Sequence, residues 1–443
     1  MKRVNVALIV TLFLAAAMQA QPALSAAEGT TLTFRQALER AVEVNNTVER
    51  ARADIQFAEA NKQQLLSNVL PRITASGAAT RNSEAISFGE GSDSRTVLAA
   101  NDWAYRVVLS QPIFAGRREL RAYSQAKIAV QSAEQAVLGT EDAVLLRVAG
   151  NYLALVNAEA RLAIEQRNID LSQKRRTQSQ AFFEAGEVTK VDVLRAETAI
   201  KAAQRALAVA QQNRDVAESR LRADLDLDTP IVAATPEQPM PPVPSEETLI
   251  AKAETVRPDV ALAANTLRIA ELEIQKQRGF WLPTVTFDGG WINQKAQFPA
   301  PRYSYGALRF NIPLLQSGEV EARIAAAKSR ELQAKLDLET TKINAREDVR
   351  QSLAALRAAE TGLGLAKEQL AAAEAEYAQM FELYRAQEAT SLDLATSEQS
   401  LADARRAVAE ETLNRDVAAL RVWYASGTMR EALNVGLNSG VNQ

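Results

Sequence analysis

From Pro112 to Pro230 the chain runs 117 residues without a proline, and after Pro313 it runs 130 more. Proline fixes φ and lacks an amide proton, so it ends or kinks a helix; its absence over such distances permits helices far longer than the ordinary three turns. What fills these stretches is helix-forming: 82 of the 443 residues are Ala, with Leu, Glu, Gln, Arg and Lys abundant around them. Between Arg117 and about Ala185 the two glycines, Gly139 and Gly150, are isolated. One helix of roughly 67 residues, about 100 Å long at 1.5 Å per residue, is therefore expected there. An ordinary globule cannot enclose it. A rod built of helical hairpins can, and Ala-dominated apolar positions suit close, shallow helix packing.

The same composition removes whole classes of function. There is no His and no Cys, so the commonest general base, the thiolate nucleophile and the nitrogen and sulfur metal ligands are absent. Gly362-Leu363-Gly364 sits inside a helical pattern without the preceding strand that a phosphate loop needs. A formal net charge of -3 with interspersed signs offers no basic stripe for a phosphate backbone. The expectation is a non-enzyme with no cofactor, no metal and no nucleic-acid partner.

Residues 1–27 begin with Lys2 and Arg3, continue through an apolar run from Val4 to Ala17, and end in small residues around Ala26 and Ala27. That order predicts a secretory signal cleaved after Ala26 or Ala27, and the lack of Cys predicts no lipid anchor. Elsewhere no apolar run approaches the ~20 residues of a membrane helix, which leaves β-strands as the means of insertion.

Sliding the chain on itself by 201 residues lays Glu187, Thr189, Asp192, Glu197 and the run Asn213-Arg214-Asp215-Val216-Ala217 on Glu388, Thr390, Asp393, Glu398 and Asn414-Arg415-Asp416-Val417-Ala418. A shift of 212 lays Val69-Leu70-Pro71 on Trp281-Leu282-Pro283, the difference being loop length. The chain is thus a tandem duplication. Its predicted parts are the signal at 1–27, a first repeat at 28–225, a Pro-rich linker at 226–245, a second repeat at 246–425 and a tail at 426–443. Each repeat reads as helix, two strands, long helix, helix. The helices are expected over Thr33–Ser67, Arg117–Ala185 and Thr189–Leu225, then Ser245–Phe280, Glu319–Arg385 and Thr390–Tyr424. Gly186 is suited to a helix C-cap, and Thr189 to the N-cap of the next helix.

The strand stretches alternate with period two. Trp103, Tyr105, Val107 and Leu109 share one face, with Ala104, Arg106, Val108 and Ser110 on the other. Thr74, Ser76 and Thr80 oppose Ile73, Ala75 and Ala79, while Thr284, Thr286 and Asp288 oppose Val285, Phe287 and Trp291. About ten residues suffice for a tilted strand to cross a bilayer. Trp103, Trp291, Tyr303 and Tyr305 lie near strand ends, where an interfacial belt would form, and Ser83–Asp102 reads as an exposed outer loop. Four strands cannot close a barrel, so a membrane reading requires several copies. Two soluble hairpins capping a coiled coil, as in a periplasmic adaptor or scaffold, is the alternative.

The paired Leu70-Pro71 and Leu282-Pro283, the Gln111-Pro112-Ile113-Phe114-Ala115-Gly116 and Ile312-Pro313-Leu314-Leu315-Gln316-Ser317-Gly318 elements, and the turns Gly186–Leu194 and Gln387–Leu394 resemble those of TolC-like outer-membrane factors of efflux pumps and type I secretion systems. The resemblance spans essentially all of the chain after the signal. It implies a homotrimer with a 12-stranded barrel in outer-membrane lipid, an α-barrel crossing the periplasm, and the linker on an equatorial belt. The function it implies is a passive exit duct fed by an inner-membrane transporter through a periplasmic adaptor (membrane fusion) protein. It further implies that Gly186, Glu187, Thr189, Glu388 and Thr390 lie at the adaptor-docking tip and that Asp393 rings the aperture. Thr396 stands where a second acidic residue is expected, predicting a weaker negative ring. Asp192 and Tyr384 match partners in the closing bonds. Ala389 replaces the expected basic residue, so Arg385 or Arg195 would have to rebuild the latch.

Overall fold

The computed structural model describes residues 30–89, 91, 94–234, 241–297 and 299–434, so the expected signal and the center of the Pro-rich linker lie outside the described residues. The elements, in order, are β1 (Thr30–Leu32), α1 (Phe34–Val44), α2 (Asn46–Ser67), β2 (Arg72–Arg81), β3 (Ile86–Phe88), β4 (Arg95–Leu98), β5 (Asn101–Ala115), α3 (Arg118–Glu184) and α4 (Lys190–Leu225). There follow β6 (Ile231–Ala233), α5 (Glu246–Val256), α6 (Pro258–Arg278), β7 (Thr284–Gln294), β8 (Arg302–Asn311), α7 (Glu319–Arg385), α8 (Ser391–Ala425) and α9 (Met429–Ala432). The two long helices each span 67 residues. The 201-residue shift carries the bounds of α3 onto those of α7, and the 212-residue shift carries α1, α2 and β2 onto α5, α6 and the start of β7. No helix among the described residues is long and apolar enough to cross a membrane.

Each repeat's first helix, expected as one piece, is two. In the second repeat the break follows from Pro258, which disfavors helical geometry at Arg257 and then opens α6 from its first position. In the first repeat no proline stands at the break; instead the side chain of Asn45 accepts a hydrogen bond from the Thr47 amide and caps a new helix. The 212-residue shift superposes Asn45 on Arg257, so two different chemistries make the same bend.

The described chain divides into two compact units. One comprises Met1–Ala41, Val148–Pro239 and Lys367–Leu413. In it β1 pairs in parallel with β6, so the linker, expected to be only extended, contributes a strand. Tyr152 is fully buried beside that pair, its hydroxyl 2.7 Å from the Leu32 carbonyl and 2.6 Å from that of Ala234. Burial pushes its pKa up to about 12. Phe34 packs edge-on against the same ring at 5.3 Å.

The other unit comprises Val42–Arg147, Met240–Ala366 and Asn414–Gln443. Its four-stranded antiparallel sheet has the order β2-β5-β7-β8. Residues paired across antiparallel strands point to the same side. The register therefore places Ile73, Ala75, Trp103, Tyr105, Val107, Leu109, Phe287, Trp291, Leu308 and Phe310 on one face, as the alternation predicts. Thr74, Ser76, Arg106, Ser110, Thr286, Asp288 and Arg309 lie on the other. Tyr303 and Tyr305, expected in a belt with the two tryptophans, pair with Ile292 and Gly290 and so fall on the polar face. Strand β5 also runs further than expected, through Pro112, with a register shift between Pro112 and Phe114. The stretch expected as plain loop at 83–102 carries the hairpin β3–β4. At the far end, the tail expected from residue 426 folds back: Met429 is fully buried, and Arg430 reaches Asp142 at 2.9 Å.

Two glycines meet where the repeats adjoin the sheet. Gly116 has φ +63, and a side-chain carbon on either Gly116 or Gly279 would fall inside the van der Waals envelope of the other's carbonyl oxygen. Gly279→Ala is expected to destabilize the sheet-bearing unit by about 2 kcal/mol, because backbone on both sides resists relief. The check is the thermal unfolding midpoint; an unchanged midpoint would mean the two corners can separate without loss.

Candidate functional site

Both hairpin turns belong to the first unit, and each is built the same way. At the first, Gly186 takes φ +80. Its amide donates to the Phe183 carbonyl at 3.0 Å, and the Glu187 amide donates to that of Phe182 at 2.9 Å. This is the paired-bond ending that satisfies a helix's last carbonyls. At the second turn Gln387 holds φ +63, with its amide 3.2 Å from the Tyr384 carbonyl and the Glu388 amide 2.8 Å from that of Leu383. A side chain in this region costs about 1–2 kcal/mol that glycine avoids.

The helices that follow also start alike. The Thr189 amide and hydroxyl donate to Asp192 Oδ2 at 3.2 and 2.8 Å, and those of Thr390 donate to Asp393 Oδ2 at 3.0 and 2.6 Å. Each aspartate thereby caps the amide preceding its helix and sits at the positive end of the helix dipole. Their surroundings then diverge. Asp192 Oδ1 accepts the Ser391 hydroxyl from the second hairpin, and Arg195 lies 3.6 Å away. The Ser391 bond, then those from Thr189 and the Arg195 charge, hold its carboxyl below the usual range against burial. Asp393 is exposed and is held low by Thr390 alone. A second bridge between the turns runs from the Gln387 amide group to the Glu187 carboxylate.

Tyr384, matched by resemblance to a partner of Asp192, bonds elsewhere. It is buried, its hydroxyl is 3.2 Å from Ser179 Oγ, and its ring meets Phe182 edge-on at 5.6 Å. Arg385 pairs with Glu382 at 3.3 Å, which leaves Arg195 as the cation at Asp192. Thr396 is exposed, but its hydroxyl donates back to the Leu392 carbonyl at 3.0 Å. Gly186, Glu187, Thr189, Glu388 and Thr390 are all exposed at the turns.

Next to the turns is a polar zipper that sequence reading missed. α3 and α8 are joined by Arg161–Glu410 at 3.3 Å, Arg406–Glu165 at 2.6 Å and Arg175–Glu398 at 2.6 Å. Arg175 and Glu398 side chains are only 7% and 12% exposed. A cavity of about 400 Å³ between α3, α4 and α8 is lined by Glu165, Asn168, Ser172, Arg175, Glu398 and Arg406. Burial pushes the Glu398 carboxyl up to about 7 despite Arg175. Burial also acts upward on Glu165, but its bonds from Arg406 and Asn168 outweigh it and hold that carboxyl low. Arg and Glu in a 67-residue helix carry no linear mark of partnership; only the register of α3 against α8 reveals it.

Two copies of a hairpin with matched tips in one unit, and in the other an antiparallel sheet with one open apolar face, are the two features of the mixed helical and β-stranded outer-membrane channel class. A model of the outer membrane efflux protein family matches residues 37–225 and 249–428, and the chain belongs to that family. It is 21% identical to the outer membrane efflux protein BepC of Brucella suis, covering 90% of this chain and 86% of the relative. It is 23% identical to nodulation protein T of Rhizobium leguminosarum bv. trifolii, covering 91% and 85%. The fold is shared with the solved structure of CusC at TM-score 0.77 and 17% identity, over 89% of this chain and 91% of that one. The CmeC outer membrane channel of Campylobacter jejuni aligns at 0.75 and 18% over 89% and 86%, and the open-state MtrE channel of Neisseria gonorrhoeae at 0.73 and 19% over 89% of each.

The zipper makes stability depend on pH. Glu398 titrates near 7 in the folded chain and near 4.5 as a free side chain, so between these values the folded chain binds the extra proton. Its contribution is complete below about pH 4.5 and is lost as pH rises through about 7. Glu398→Gln should flatten this part of the profile, read as urea midpoints of both proteins from about pH 5 to about pH 8; parallel profiles would show that burial does not control this carboxyl.

Proposed function

We propose that this outer membrane efflux protein acts as a trimeric passive exit duct, receiving substrate from an inner-membrane transporter through a periplasmic adaptor. One observation carries the reading: a four-stranded sheet whose apolar face is open, with Ile73 71% and Phe310 64% exposed, and whose outer strands β2 and β8 each have one edge unpaired among the described residues. Unpaired backbone in lipid costs several kcal/mol per group, so β8 of one copy must pair with β2 of the next until the sheet closes. Three copies give twelve strands, within the range of outer-membrane barrels. The repeats at 28–225 and 246–425 would then supply the periplasmic α-barrel, with the linker at 226–245 on its waist.

The tip is the gate in this reading. Within each chain, the bonds of Ser391 to Asp192 and Gln387 to Glu187 tie the two hairpins in the closed packing, and an adaptor that binds the open packing more tightly shifts the balance. Asp393 faces the axis, and threefold symmetry gathers its three copies. Gly186, Glu187, Thr189, Glu388 and Thr390 form the docking rim, Tyr384 with Ser179 steadies the ends of the long helices, and Thr396 leaves the acidic ring single. Nothing in the arrangement calls for catalysis.

Light scattering on protein extracted from outer membrane in mild detergent should give the mass of about three chains; recovery as a monomer without detergent would hand the reading to an adaptor or scaffold. In planar bilayers, Asp393→Asn should weaken block by multivalent cations added at the periplasmic side, whereas undiminished block would remove Asp393 from the aperture. Tyr384→Phe should raise conductance if its hydroxyl holds the tip, and unchanged conductance would leave that ring a packing residue.

A further inference from the structure

The polar face of the sheet carries charge that nothing else in this reading uses. Five charged side chains share it: Arg72, Arg106, Arg309, Asp102 and Asp288. The two acids are occupied differently. Asp288 is paired with Arg309 at 2.9 Å, and Asp102 accepts the Trp103 amide at 2.9 Å. Arg72 and Arg106 are exposed, and among the described residues neither forms an ion pair with a carboxylate.

Register fixes their levels. Arg72 pairs with Ser110, which pairs with Asp288, at the helix-proximal end of the strands. Arg106 lies between Ser76 and Ile292, four residues along β5 and so about 13 Å farther out. Asp102 lies at the far end, opposite Thr80. Net charge is thus segregated: Arg309 offsets Asp288, which leaves Arg72 and Arg106 cationic at the helix-proximal and middle levels and Asp102 acidic at the outer rim. Exposed guanidinium groups are expensive against lipid and are tolerated where a barrel wall faces water.

We propose that Arg72 and Arg106 form two cationic rings inside the barrel, making this segment favor anions and selecting for cargo that carries a carboxylate, sulfonate or phosphate group. The proposal rests on the trimeric-duct reading, in which each level is repeated three times around one lumen. Rings of like-charged side chains set ion preference by the field they raise at the axis. The sign is opposite to that of Glu187, Glu388 and Asp393 at the tip, so in this duct cargo passes from an acidic entrance into a basic segment of the barrel.

The test is the reversal potential of the full-length protein in planar bilayers under a potassium chloride gradient. At about 0.01 M salt the Debye length is about 30 Å and the rings act across the lumen, while at about 1 M it is about 3 Å and they do not. Because the tip also contributes, the reading is differential. The double variant Arg72→Gln, Arg106→Gln should lower the chloride-to-potassium permeability ratio by about twofold at low salt, with the difference closing at high salt. Arg72→Lys, Arg106→Lys should keep the wild-type ratio. The benzoate-to-benzylammonium ratio should fall in parallel with chloride, and a fall in chloride alone would overturn the claim on cargo. A pore of normal conductance whose ratio is the same in wild type and the Gln variant overturns the inference and leaves the duct standing. Failure of the wild type to form any pore overturns both.

Discussion

Every peptide group must find a hydrogen-bond partner, and this chain meets that demand in two extreme ways. In α3 and α7 the demand is met internally over 67 residues, which lets each helix run without a supporting globule. In the sheet it is met only in part, since β2 and β8 each present one edge with no described partner. A helix is complete alone and an open sheet is not. The chain is therefore self-sufficient where it is helical and incomplete where it is extended, and in the trimeric duct proposed above assembly is the completion of its backbone bonding.

Much of this was legible in the sequence because duplication writes each signal twice. The Pro-free stretches, divided at the repeated turns, bound α3 and α7 to within a residue, and Thr189, suited to an N-cap, marks the start of α4. The alternation of Val107 and Leu109 with Arg106 and Ser110 assigns the faces of β5 correctly. Illegible were features set by distant partners. The break at Asn45 is one, since an asparagine within an amphipathic run is ambiguous until its side chain is seen on the Thr47 amide. Another is β6, whose three residues gain a strand only because Thr30–Leu32 lies beside them. Tyr303 and Tyr305 leave the aromatic belt because parity, not position along the strand, decides which face a side chain takes.

The two aspartates of the turns show how one local motif acquires two roles. Both satisfy the amide before a helix, which explains an acid at that position without further function. Only Asp192 has a free oxygen placed to accept Ser391, and that residue stands where the first repeat has Lys190. Duplication supplied two equal caps. Divergence at a neighbor then made one a tether between hairpins and left the other open to solvent. The buried Arg175–Glu398 pair has the same origin, since the repeat counterpart of Glu398 is Glu197, which is exposed and pairs with Arg176 at the surface.

The parallel pairing of β1 with β6, clasped by Tyr152, has a consequence for the order in which the chain can mature. Residues 30–32 are made and exported early, yet their strand partner lies about 200 residues later, at 231–233. Until that segment arrives, β1 has no ladder, and the Tyr152 hydroxyl lacks the Ala234 carbonyl. The first repeat thus cannot finish folding on its own residues as they emerge. Its closure waits on the seam between the duplicated halves, which makes that seam a checkpoint in time as well as a joint in space.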